Sequence, residues 1–239
     1  MMPKVPKKKI NIYGDEQCRR ILRAAQDYVA ETDPRRSLRW DLFITVALAT
    51  GMRRGELLNC TWRDVDFVAE TIEVCCKQNT KEIWQWLVKD TDHRTLPLTE
   101  EIVRMLVEHQ TKQPEGYPYV FVPTERYDYI QGVLRPEGRW TLVDSSMKVV
   151  NNFRRQFNQI LRRAGVNQGT FHDFRRTAIS MWFANGMSEH DVMVLAGHAS
   201  FATTHEFYLA VADDLIHRAK VATAQGLRQK LVHFGAEGV

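Results

Sequence analysis

Between Thr71 and Leu98 the apolar residues recur at every second position, whereas on either side of that stretch they recur at helical spacing. Three short strands follow from the alternation, Thr71–Cys76, Trp84–Val88 and Arg94–Leu98, joined by turns into a small antiparallel meander. The flanks read as helices. Ile21, Leu22, Ala25 and Val29 mark one from Gly14 to Ala30, ended by Asp33-Pro34. A second runs from Leu38 to Ala49 and stops at Thr50-Gly51, so that Met52 to Leu58 begins a third. Another extends from Leu98-Thr99-Glu100 to Gln110. Ser145 to Ala164 reads as one long helix, with Phe153, Phe157, Ile160 and Leu161 on one side. Residues 116–142 carry the weakest pattern: Tyr119–Val122 is a short strand or a buried extended segment, and the aromatic residues up to Trp140 read as packing. The fold class is therefore α+β, mostly α-helical, with a small three-stranded antiparallel sheet.

With 239 residues, 44% hydrophobic and 26% charged, the chain can bury a core as one large domain or two small ones. Its longest apolar stretch, Leu42 to Ala49, is too short to cross a bilayer, and the basic leader MMPKVPKKK lacks the apolar segment of a secretion signal. A cytoplasmic protein is expected. Cys18, Cys60, Cys75 and Cys76 form no C-x-x-C pair and read as reduced packing residues, with no metal site. The net charge is only +4, yet arginines come in doublets at 19–20, 35–36, 53–54, 154–155, 162–163 and 175–176. A surface that tracks phosphates needs such clusters, and so does an ordinary solvated helix face.

Chemistry concentrates between Thr170 and Tyr208. Thr170 and Asp173 make a T-x-x-D capping box, so a helix should open there with its N–H groups pointing outward beside His172, in a position that attracts phosphate. His172 and Arg175 share a face of its first turns. A second box, Ser188 to Asp191, opens a helix that Gly197 closes, leaving His198 just beyond its end. Earlier in the chain, Arg53 and Glu56 are i, i+3 partners: either the carboxylate holds the guanidinium rigid or the two are a plain surface pair. Lys89 lies beside the acidic turn Asp90-Thr91-Asp92, a place that by itself gives it little claim to function.

Taken together, TGMRRGEL at 50–57, K-x4-R-x2-PL from Lys89 to Leu98, HDFR at 172–175, AGH at 196–198 and the segment ending at Tyr208 resemble the tyrosine recombinase (phage integrase) family over residues 13–212. The resemblance implies a DNA breaking-rejoining catalytic domain at 13–212, between a basic leader at 1–12 and a C-terminal helical tail at 213–239. The family's N-terminal core-binding domain is expected to be absent, and the tail is expected to dock on a neighbouring subunit or on its own core. Tyr208 is implied as nucleophile and Arg53 and Arg175 as the catalytic arginines, with Lys89, His172 and His198 completing the set and Glu56 in support. Arg54, Lys148, Arg154, Arg155 and Arg176 are the expected DNA contacts.

The chemistry suits those residue types. Attack on a phosphodiester builds negative charge that planar guanidiniums bind through paired hydrogen bonds. A phenol with a pKa near ~10 needs a base or a cationic site to lose its proton, and the departing oxygen needs an acid. No cofactor is expected. Partners are double-stranded DNA and further copies of the chain, a homotetramer on DNA and a monomer when free, in a bacterial or phage-encoded system. Two other readings use the same residues. Ala178 to His198, with a turn at Gly186, also fits a helix-turn-helix DNA reader. A type IB topoisomerase shares the tyrosine chemistry, although that family usually has lysine where His172 stands. A zinc protease is excluded, because H-E-x-x-H would need histidine at Leu209.

Overall fold

The protein is represented by a computed structural model that describes residues 11–89, 93–166, 169–198, 200–211 and 223–224, with backbone alone at 206 and 208–211. The basic leader up to residue 10, the Asp90-Thr91-Asp92 turn and nearly all of the expected C-terminal tail lie outside the described residues. Ten α-helices and one small sheet are described. In order they are α1 (Asp15–Ala30), α2 (Trp40–Thr50), α3 (Arg54–Leu58), β1 (Val65–Asp66), β2 (Thr71–Val74), β3 (Arg94–Pro97) and α4 (Glu100–Thr111). There follow α5 (Thr124–Tyr129), α6 (Leu142–Met147), α7 (Phe153–Arg163), α8 (His172–Ala184), α9 (Glu189–Ala196) and α10 (Phe201–Val211). None of the described helices is long and apolar enough to cross a membrane.

The sheet is antiparallel in the order β1-β2-β3, with Ile72 opposite Leu96 and Val74 opposite Arg94. Two of its strands fall where the alternation predicts them, but the third does not. Residues 84–88 are alternately buried and exposed, as a strand would be, yet among the described residues they pair with no strand and form a single isolated bridge, Lys77 with Trp86. Side chains replace the ladder there: the Trp84 N–H donates to the Tyr119 hydroxyl at 3.0 Å and the Val88 N–H to the Cys76 sulfur at 3.5 Å. The third strand is instead Val65–Asp66, too short to leave a period in the sequence.

An aromatic cluster fixes the helices that matter most for the site. Trp40 and Phe43 of α2 meet Phe153 and Phe157 of α7 and Phe171 just before α8, with ring centroids 4.9–6.0 Å apart for Trp40–Phe153, Phe43–Phe171 and Phe43–Phe153, and Phe174 of α8 packs on Phe157 and Phe171. In the run Phe171-His172-Asp173-Phe174-Arg175 the two phenylalanines are thus keyed into the core, and this sets the rotation of α8. From the other end of the chain, Asn11 donates to the Asp173 carboxylate at 3.0 Å and the Tyr13 N–H to Thr177 Oγ1 at 2.9 Å.

Two expected helices differ. The single helix from Ser145 to Ala164 is two, α6 and α7, separated at 148–152 where Asn152 takes a left-handed φ of 56°. Arg126 donates to the Lys148 carbonyl at 2.7 Å and the Val149 carbonyl at 3.3 Å, satisfying groups that a continuous helix would have paired internally. At Thr170 only half of the box forms: Asp173 accepts from the Thr170 N–H at 2.7 Å, but the N-cap is Phe171 and the helix starts at His172. Residues 116–142 resolve into a buried extended segment, Tyr119–Val122, and α5, which continues into a π turn at Ile130–Leu134.

Candidate active site

Helix α9 ends as its sequence predicts. Gly197 takes the left-handed conformation at φ 61°, and the N–H groups of Gly197 and His198 return to the carbonyls of Val194 and Met193 at 3.0 and 3.1 Å. That leaves the carbonyls of Leu195, Ala196 and Gly197 without helical partners, and each receives a guanidinium from a different element. Arg94 Nε of β3 donates to Leu195 O at 2.9 Å, Arg175 Nη2 of α8 to Ala196 O, and Arg53 Nη2 at the N-cap of α3 to Gly197 O at 2.8 Å. The negative end of the helix dipole therefore faces three cations. Arg175 also donates to Gly51 O at 2.8 Å, the carbonyl of the left-handed glycine that caps α2.

Glu56 is the carboxylate of the cluster. Its Oε1 accepts from Arg53 Nη1 at 3.0 Å and Arg94 Nη1 at 3.2 Å, and its Oε2 from the Arg53 N–H at 2.7 Å and Arg94 Nη2 at 2.6 Å. The expected Arg53–Glu56 pair exists, and it is no plain surface pair, since the Glu56 side chain is 2% exposed. Burial, which alone would raise the carboxyl pKa, is outweighed by the charge and hydrogen bonds of Arg94, the Arg53 N–H and Arg175, so the net shift is downward. Among the described contacts, Glu56 is hydrogen-bonded to Arg53 and Arg94 and feels the charge of Arg175. The Arg175 pKa is pushed down to about 9 by burial and then by Arg53 and Arg94, with Glu56 opposing.

Both histidines border this charge. His198 Nδ1 is 2.9 Å from the Thr204 hydroxyl of α10, and its ring stacks on Phe207 at 6.0 Å. Its pKa falls to about 4 through burial and then the charges of Arg175, Arg53 and Arg94, which keeps the imidazole neutral. The His172 ring stays open to solvent; partial desolvation and then Arg175, Arg176 and Arg53 lower its pKa against the pull of Asp173. Tyr208 lies on α10, one turn past Thr204, and α10 packs on both α8 and α9.

The other expected residues are more scattered. Lys89 is exposed at the far end of the excursion between β2 and β3, not at the end of a strand, and it is not among the described contacts of the cluster. Arg54 stacks over Phe153 at 5.1 Å, beside exposed Arg154 and Arg155. Lys148 pairs with Asp144 and Arg176 with Asp173, each at 2.8 Å. Arg94 is the member of the cluster that the sequence does not single out; its one signal is its place within K-x4-R-x2-PL. Among the described residues, no three His, Cys, Asp or Glu side chains gather as a metal site.

The profile of the phage integrase family matches residues 13–214. The chain belongs to that family. Among this integrase-family chain's curated relatives are a XerC-like tyrosine recombinase of Caldanaerobacter subterraneus subsp. tengcongensis, 27% identical over 232 residues, and the tyrosine recombinase XerA of Pyrococcus furiosus, 22% identical over 213. The alignments cover 88% and 89% of this chain but 54% and 62% of the relatives, so the chain spans between half and two thirds of their length. Its fold is similar to that of the XerA recombinase crystal structure, with a TM-score of 0.60 at 22% identity over 91% of this chain and 67% of that one. It is also similar to the catalytic domain of bacteriophage HP1 integrase, with a TM-score of 0.55 at 17% identity, covering 89% and 95%. A third likeness is to the Tn1549 transposon integrase in complex with a circular intermediate DNA, with a TM-score of 0.61 at 16% identity, covering 90% and 68%.

Proposed function

We propose that this chain is the catalytic unit, over residues 13–212, of a site-specific DNA recombinase that cleaves and rejoins strands through Tyr208. The observation that carries the reading is the seating of Arg53 and Arg175 on the adjacent carbonyls of Gly197 and Ala196, with His198 next in the chain. Guanidiniums fixed on two neighbouring backbone groups converge on one region, and paired cationic donors there suit a phosphate gaining negative charge.

In the proposed reaction the Tyr208 oxygen attacks the phosphorus, the bond to the 5′-oxygen breaks, and that oxygen takes a proton. The products are a 3′-phosphotyrosine and a 5′-hydroxyl. Because the new ester conserves the bond, the reverse attack rejoins DNA without ATP or a metal. Arg53 and Arg175 hold the non-bridging oxygens, His198 donates a hydrogen bond to them, and His172 helps the phenol to lose its proton. Lys89 supplies the proton to the leaving oxygen. Arg54, Lys148, Arg154, Arg155 and Arg176 contact the flanking phosphates. On DNA the chain works as a homotetramer.

A library of nicked duplexes with random sequence, incubated with the chain in EDTA and then denatured, tests the reading. Wild type should retain a subset of duplexes covalently at their 3′ ends, and Tyr208→Phe should retain none. Capture by Tyr208→Phe, or by a chain carrying both Arg53→Ala and Arg175→Ala, would overturn it.

A further inference from the structure

Thr204 places a fully buried hydroxyl on α10, and among the described residues that hydroxyl has one hydrogen-bond partner, His198 Nδ1 at 2.9 Å. We propose that Thr204 is a positioning residue: its O–H donates to His198 Nδ1, which puts the single proton of the neutral imidazole on Nε2 and so makes His198 a hydrogen-bond donor to the phosphate. The proposal rests on the strand-transfer reading above and adds to it the group that decides which nitrogen of its histidine carries the proton.

The supply of protons carries the argument. A threonine hydroxyl has one to give, and a neutral imidazole has one N–H and one lone pair in its ring plane. Among the described residues no carbonyl accepts the Thr204 proton, and full burial shuts out water. If Nδ1 carried the imidazole proton, it would donate to Oγ1, the threonine proton would be buried without an acceptor, and Nε2 would be left an acceptor with nothing to offer a phosphate oxygen. With the hydroxyl donating, both groups are satisfied and Nε2 keeps the N–H. Burial and then Arg175, Arg53 and Arg94 hold the His198 pKa at about 4, so at neutral pH the tautomer decides what the ring can donate. Two further contacts fix the residue. The His198 N–H returns to Met193 O at 3.1 Å in the cap of α9, and Phe207 stacks on the imidazole with the ring planes 20° from parallel. Thr204 and Phe207 both belong to α10, the helix of Tyr208. The histidine that serves the phosphate is thus set by the helix that brings the nucleophile, and docking of α10 completes both parts of the site together.

Two variants separate this role from simple packing. Thr204→Val keeps the branched shape but has no proton to donate; Thr204→Ser keeps the hydroxyl. The first measurement is the nitrogen NMR spectrum of the imidazoles at neutral pH, with the His198 signals assigned through His198→Ala. In wild type His198 should carry its proton on Nε2, with Nδ1 unprotonated and its signal shifted by a hydrogen bond. Thr204→Val should lose that shift, and Thr204→Ser should retain it. A proton on Nδ1 in wild type would overturn the proposal, and so would an Nδ1 signal indifferent to Thr204→Val. The second measurement is the rate of covalent capture of a duplex that wild type takes. Thr204→Val should be about 10–100-fold slow, the loss typical when the partner behind a site histidine is removed, with duplex affinity unchanged and most of the rate kept by Thr204→Ser. In a His198→Ala background Thr204→Val should slow capture no further, because Thr204 acts through the imidazole. Equal slowing in both backgrounds would reduce Thr204 to packing of α10 and overturn the proposal. Should wild type capture no duplex of any sequence, the recombinase reading fails, and the nitrogen spectrum still decides whether Thr204 sets the tautomer of His198.

Discussion

The end of α9 and the excursion between β2 and β3 are both held by side chains that donate to backbone carbonyls, but the environments are opposite. At α9 the donors are three arginines, and the carboxylate that two of them share is buried. On the excursion the donors form a stripe on α5 and its π turn, and they meet an exposed loop. Tyr127 donates to Glu82 O at 2.9 Å, Gln131 to Glu82 O at 2.5 Å, and Arg135 to Thr80 O at 2.5 Å and Lys81 O at 3.1 Å. A buried charge without its counterpart is costly, whereas an exposed donor that loses a carbonyl finds water. The first region is therefore fixed as a unit, and the second is pinned at its tip while Lys89, beyond the Lys77–Trp86 bridge, lies outside the clamp.

Glu56→Ala tests the contrast most severely. It leaves Arg53 and Arg94 without their shared anion and should cost about 3–5 kcal/mol in a urea titration, together with loss of DNA capture; a loss below about 1 kcal/mol would mean that the cluster is not a unit. Lys89→Ala should leave stability unchanged and slow capture by roughly 10²–10⁴-fold, with recovery on a duplex whose leaving 5′-oxygen is replaced by sulfur, since a thiolate departs without a proton. If recovery follows Lys77→Ala instead, the acid is the lysine now buried against Asp64 at 2.7 Å. Arg135→Ala should cost only about 0.5–1.5 kcal/mol and increase hydrogen exchange in 79–83 while leaving that of α9 untouched. Protection lost at both places would erase the distinction.

The smallest effect is on pH dependence. His198 has a pKa of about 4 in the folded chain, below the value of about 6.5 for an unfolded histidine. Its unfolded form thus binds the proton first, and the stability present above pH 6.5 should decline as pH falls toward 4. His172, shifted in the same direction, adds to the slope. His198→Asn should flatten the decline; an unchanged slope would show that the imidazole is not held among the guanidiniums.

What the sequence discloses follows the same division. The start of α9 at Ser188, its end at Gly197 and the Arg53–Glu56 spacing are local, and cap chemistry or i, i+3 geometry reveals them. The break between α6 and α7 is not local, because Arg126 supplies the donors that end the first helix from more than twenty residues away. Nor is the part of Arg94, whose partners Glu56 and Leu195 lie far from it on opposite sides of the chain. Residues 84–88 mislead for a further reason: alternating burial reports which side faces the core, while a ladder also needs a neighbouring strand, and Tyr119 and Cys76 take that place.

Because the three arginines at α9 rest on main-chain oxygens, the amino acids that own those oxygens are not equally constrained. At Leu195 and Ala196 any residue that packs and keeps the helix would offer the same acceptor, so drift at these two positions need not disturb the guanidiniums. Position 197 has no such latitude, since it must both reverse the backbone at φ 61° and make room for Arg94. Tolerance to mutation along these three neighbours should thus collapse within a single step of the chain.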